Sequence, residues 1–78
     1  MQIRTREFYS STNGDKWFLR HNLETDHVYV KHVANAASGG YQTDYELAAF
    51  LNGPLVSERA ALSRLIADLA DKAVEQQA

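Results

Sequence analysis

Three histidines, His21, His27 and His32, fall within twelve residues, with Glu24 and Asp26 between the first two. Imidazole and carboxylate groups around one hairpin loop can share a divalent cation. The spacing matches no ligand motif, and His32 has the parity of Val28 and Val30, which turns it away from His27. The expectation is no metal and histidines held by local hydrogen bonds. Ser38-Gly39-Gly40 precedes what reads as a capped helix start, where backbone amides can cradle a phosphate. Asp44 and Glu46 would repel an anion there, and the run lacks the further glycines and the lysine of a phosphate loop. It reads instead as a turn that needs positive φ. Ser38, His32 and Asp44 are the residue types of a hydrolytic triad, but no nucleophile elbow accompanies them. Asp68, Asp71 and Glu75 recur at helical spacing, as on a solvated face. With no cysteine there is no thiolate nucleophile, thiolate metal site or disulfide. Seventy-eight residues leave little room for a deep pocket. The expectation is a chain that is not an enzyme and carries no cofactor.

The elements that must position these groups divide the chain in two. Up to Val33 the sequence is aromatic and β-branched and carries a net charge of +1; from Ala34 onward it is rich in Ala and Leu and carries −3. This predicts a strand-rich half over 1–33 and a helical half over 43–76, with 77–78 a frayed tail, in a single domain over 1–78. Asn13-Gly14 predicts a two-residue type I′ turn, which sets Ser10 opposite Trp17, Tyr9 opposite Phe18, Phe8 opposite Leu19 and Glu7 opposite Arg20. His27-Val28-Tyr29-Val30-Lys31-His32-Val33 alternates as a third strand, antiparallel to the second across a short polar link. Residues 35–40 read as a loop. Thr43-Asp44-Tyr45-Glu46 has the form of a capping box, opening a short helix through Leu47, Phe50 and Leu51 that Gly53-Pro54 stops. Ser57 is the expected N-cap of a longer helix with the stripe Leu62, Leu65, Ile66, Leu69, Ala73. The expected fold class is α+β: a three-stranded antiparallel meander, then a short and a longer helix packed on one sheet face (βββαα).

Alternation assigns Phe8, Trp17, Leu19, Val28 and Val30 to the helix-covered face. The other face then shows Tyr9, Phe18, Arg20, Tyr29 and Lys31, with Lys16 and Glu7, and no helix remains to cover it. Tyr, Phe and Arg are enriched in protein interfaces. The same residues could stack on bases and meet phosphates, but a nucleic-acid binder ordinarily has a basic excess and this chain has a net charge of −2. A third reading is that aromatics favour strands and long cationic stems cover them.

The run Phe8…Asn13-Gly14-Asp15-x-Trp17-x-Leu19, Val30-x-His32-x-x-Asn35-x-x-Ser38-Gly39-Gly40, Thr43-Asp44-x-Glu46 and Phe50-Leu51 resembles a family of short uncharacterised bacterial proteins, over most of the chain from Arg6 to Ile66. The resemblance implies a bacterial cytoplasmic origin and no activity, cofactor or partner. Where the family pattern has a histidine, this chain has Arg59. Within the shared pattern Trp17, His32, Asn35, Ser38, Gly39 and Gly40 are expected to form one patch where the third strand runs into the loop, either binding or fixing the crossover.

The functional expectation is a small non-enzymatic protein-interaction module acting through Tyr9, Phe18, Arg20, Tyr29 and Lys31, with a protein partner or a second copy of itself. A nucleic-acid accessory role on the same face is the alternative, and metal binding through the histidines a weaker one. No apolar run reaches membrane-spanning length and Met1–Glu7 lacks the apolar core of a signal peptide, so a cytoplasmic protein without membrane contact is expected.

Overall fold

The computed structural model describes residues 2–77, and for 72–77 the helical backbone without side chains. Four strands and two helices follow one another as β1 (Ile3–Ser10), β2 (Lys16–Asn22), β3 (His27–Val33), β4 (Gln42–Glu46), α1 (Leu47–Leu51) and α2 (Val56–Gln77). The strands form one antiparallel sheet in the order β1-β2-β3-β4. The protein is thus α+β with a meander of four strands, one more than the alternation of the first half indicates.

The added strand is built from Thr43-Asp44-Tyr45-Glu46, which does not act as a capping box. These residues pair with β3, Lys31 opposite Asp44 and Tyr29 opposite Glu46. Two side-chain contacts lock that register: Lys31 Nζ lies 2.8 Å from Asp44 Oδ1 and His27 Nε2 3.0 Å from Glu46 Oε2. A ladder along the open edge of β3 satisfies more backbone groups than a cap satisfies at a helix of five residues. Glu46 is indeed the N-cap of α1 but makes no side-chain cap bond. At the other end of α1, Asn52 Nδ2 donates to the Ala48 carbonyl (2.8 Å) and Arg59 Nη1 to the Leu51 carbonyl (3.3 Å). Arg59 thus ties α2 to the negative end of α1. The longer helix begins at Val56, one residue ahead of the expected cap Ser57. The expected frayed tail falls at its last residue, and Ala78 lies outside the described residues, as does the side chain of Ala73.

The first hairpin also differs from the two-residue turn. Only Gly14 of the Asn13-Gly14 pair has positive φ (97°). Gly14 N donates to the Ser11 carbonyl and Ser11 N to the Asp15 carbonyl, which is a type I turn followed by a left-handed glycine. The longer loop shifts the register: Ser10 faces Lys16, Tyr9 faces Trp17 and Glu7 faces Phe18, with an irregularity at Phe8. A bulge gives Phe8 and Tyr9 to the same side of the sheet. Tyr9 therefore packs against the core and is not on the open face.

The core is Trp17, Val30, Phe50 and Leu62, each at most 5% exposed, with Phe8, Leu19, Tyr45, Leu47, Leu51, Leu55 and Leu65 around it. Four aromatics meet there: the Phe50 ring centroid is 5.9 Å from Phe8, 5.7 Å from Trp17 and 6.0 Å from Tyr45. All of this lies on one face of the sheet, under α1 and the first turns of α2.

Candidate functional site

Two regions collect the residues that the sequence singles out. The first is the junction of the two hairpin loops at one end of the sheet. Asp15 ends the first loop, and its Oδ1 accepts from both Asn35 N and Asn35 Nδ2 at 2.9 Å. His32 Nε2 lies 3.1 Å from Asp15 Oδ2. The His32 ring stacks on the Trp17 indole with centroids 4.0 Å apart and planes within 15°. Asn35 Oδ1 in turn accepts from Ser38 N at 2.8 Å and caps the 3-10 turn Ala36–Ser38, while Gly39 (φ 96°) and Gly40 (φ 67°) turn the chain back into β4. The structure thus brings together Trp17, His32, Asn35 and Ser38 in one chain of contacts, with Gly39 and Gly40 in the same loop. Its hub is Asp15, which a pass for binding residues overlooks. The available signal was its place in Asn13-Gly14-Asp15, immediately after the turn glycine. At Gly14 a Cβ would come within 3.2 Å of the Asn35 Cβ, so the two loops touch closely.

Hydrogen bonds to a carboxylate favour its charged form. The backbone amide of Asn35 first, then the His32 side chain, hold Asp15 below the usual carboxylate range, against a smaller opposing effect of burial. A carboxyl whose pKa is depressed by folding stabilises the fold above its ordinary value, about 3.9, and loses that contribution as pH falls through the lowered one. Asp15→Asn therefore lowers the urea midpoint at pH 6, and the gap from wild type narrows as pH falls from about 4 toward 2. A gap that stayed constant over that range would show that the charge of Asp15 does not carry the junction.

The other candidate chemistries come apart. His21 Nε2 pairs with Asp26 (3.1 Å), His27 with Glu46 and His32 with Asp15, so each imidazole has its own carboxylate. Among the described residues no group of three or more His, Asp or Glu is arranged to hold a metal ion. Ser38-Gly39-Gly40 leads into a strand, so no helix N-terminus stands behind it to favour a phosphate. His32 and Asp44 lie on opposite faces of the sheet, Asp44 bonded to Lys31 and His32 to Asp15, and form no triad with Ser38. Among the described residues no helix is long and apolar enough to cross a membrane.

The second region is the sheet face turned away from the helices. Cross-strand partners share a face, which gives two adjacent rows: Thr5, Arg20, Tyr29, Glu46 and Glu7, Phe18, Lys31, Asp44. The two central strands therefore carry a checkerboard. Arg20 stands beside Tyr29, and Phe18 beside Lys31, with the order reversed between rows. All four are half-buried. His27 stacks on Tyr29 at 5.2 Å beside an open cleft of about 390 Å³ lined by Ile3, Asn22, Tyr29, Asp44 and Glu46. Four of the five face residues named from sequence, Phe18, Arg20, Tyr29 and Lys31, are thus adjacent; Tyr9 is on the other side. The strand β4 changes the electrostatics. Lys16, Arg20 and Lys31 against Glu7 would leave this face at +2, and Asp44 and Glu46 bring it to neutrality.

No family model, no curated protein and no solved structure matches the chain.

Proposed function

We propose that this protein is a non-enzymatic interaction module whose open sheet face docks on protein, with a second copy of the chain as the partner. The checkerboard of Arg20, Tyr29, Phe18 and Lys31 carries the reading. A two-fold axis parallel to the strands, between β2 and β3, exchanges the columns of the board. Arg20 then lies over the partner copy's tyrosine and Lys31 over its phenylalanine, and the reciprocal pairs form by symmetry. Cation–π contacts of this kind contribute about 0.5–1 kcal/mol each at exposed sites and more when desolvated. The same axis sets Glu7 over Asp44 at the rim, where solvent screens like charges.

The footprint limits the strength. Four strands about 4.8 Å apart and seven residues at about 3.3 Å each project to roughly 450 Å². Stable complexes bury about 800 Å² per partner, so association is reversible and rises with concentration. A neutral face with carboxylates on both flanking strands does not suit a phosphate backbone, which weighs against nucleic acid.

Light scattering across a concentration series tests this. The weight-average mass is expected to climb from 8.8 kDa toward twice that value. The double variant Phe18→Ser, Tyr29→Ser is expected to stay at the monomer mass while keeping its far-ultraviolet circular dichroism. A wild-type mass that never rises, together with a low-salt mobility shift on single-stranded oligonucleotide that Arg20→Ala and Lys31→Ala abolish, would replace this reading with the nucleic-acid one.

A further inference from the structure

Among the described side chains, the buried residues of the helix-covered face gather at one end. Trp17, Val30, Phe50 and Leu62 close the end near the loop junction. Toward the other end the paired rows are Arg4, His21, Val28 and Arg6, Leu19, which share this face by register. There the sheet and α2 leave a cleft of about 270 Å³ lined by Arg4, Arg6, Leu19, His21, Val28 and Leu69. Leu19, Val28 and Leu69 form an apolar floor that is only half-buried. Arg4 and Arg6 are exposed, and neither has a hydrogen bond or ion pair among the described residues. His21 is held by Asp26, so the free positive charge at the cleft comes from the two arginines.

An open cleft between the layers leaves the apolar surface of Leu19, Val28 and Leu69 only partly removed from water, in a domain with so small a core. The two arginines on this edge strand make no hydrogen bond or ion pair that ties them to the fold among the described residues. Together they have the composition of a binding site: an apolar lining that takes a hydrocarbon body, and a few polar groups that fix one end. Arginine recognises carboxylate by two parallel hydrogen bonds. We infer that the cleft between β1, β2 and α2 binds a small amphipathic carboxylate, its chain on Leu19, Val28 and Leu69 and its head on Arg4 and Arg6.

The site lies on the opposite side of the sheet from the proposed docking face, so its test is independent of that reading. The probe is octanoate, titrated into the isotope-labelled full chain, with octanol as the uncharged control. Amide shifts are expected to move in a saturable way and to cluster at Leu19, His21, Val28 and Leu69. A hydrogen-bonded charge contributes enough that octanol should bind about tenfold more weakly or worse. Arg4→Gln with Arg6→Gln is expected to weaken octanoate by about the same factor with little change in the melting temperature, since glutamine keeps much of the stem and neither arginine has a polar partner to lose among the described residues. Shifts that do not saturate, shifts centred elsewhere, equal binding of octanol, or undiminished binding in the double variant would each overturn the assignment.

Discussion

Phe50→Ala leaves this chain largely unfolded at 25 °C in dilute buffer. Phe50 is 3% exposed and touches Phe8, Trp17 and Tyr45, one ring from each of β1, β2 and β4. It is also the buried residue of α1, a helix of five residues that has no side-chain N-cap and no length with which to stand alone. Truncating a buried phenylalanine costs about 3–5 kcal/mol. A domain of this size has a total stability of roughly 4–12 kcal/mol, and few buried residues put it toward the lower end. Urea titration followed by circular dichroism checks this. Phe50→Leu, which keeps most of the volume, should unfold cooperatively at a reduced midpoint. An alanine variant within about 1 kcal/mol of wild type would contradict a core centred on this ring.

Trp17→Ala has an effect of comparable size, about 3–5 kcal/mol. Its indole is 5% exposed and lies between the aromatic core and the loop junction, stacked on His32 on one side and near Tyr45 and Phe50 on the other. Loss of the indole therefore opens a cavity and also removes the surface that orients His32 toward Asp15. Urea midpoints report the first effect and hydrogen exchange of the amides at 35–40 the second. In Trp17→Phe the core is largely refilled while the His32 stack is reduced, so exchange in the loop should rise more than the midpoint falls. A tryptophan kept for binding would behave otherwise: its alanine variant would be nearly as stable as wild type.

These two expectations bear on the loop junction as a whole. Its contacts bind the loop between β1 and β2 to the loop between β3 and β4, with His32 and Asn35 both engaged by Asp15. That is the bonding of a clamp that holds the two loops in register. On the open sheet face, among the described residues, the one aromatic ring contact is that of His27 with Tyr29.

Much of this architecture is legible in the chain. The alternation in Val28–Lys31 is legible because Val30 is buried and its neighbours Tyr29 and Lys31 face the other way, and the strand has the expected bounds His27–Val33. The leucine spacing of α2 is helical because Leu62, Leu65 and Leu69 turn inward together. What is not legible depends on partners distant in sequence. Residues 43–46 carry the letters of a cap, and only the unfilled edge of β3, with Lys31 and His27 waiting on it, makes them a strand. In the first hairpin, Asn-Gly is read as a two-residue turn on local preference, but Asp15 is drawn away by Asn35 and His32, and the turn lengthens. One extra residue then carries Tyr9 across to the core side, because side-chain direction in a strand reverses at every step. The checkerboard on the open face survives that shift because it lies wholly within β2 and β3, whose register comes from the second hairpin.

The central claim is that Phe18, Arg20, Tyr29 and Lys31 meet the same residues of a second copy. The most direct measurement mixes labelled with unlabelled chain at millimolar concentration and records only intermolecular nuclear Overhauser contacts. The account predicts contacts from the Tyr29 ring to the Arg20 side chain of the other copy and from the Phe18 ring to its Lys31. An absence of intermolecular contacts, or contacts confined to the exposed Tyr41, Val56 and Ile66, would contradict it.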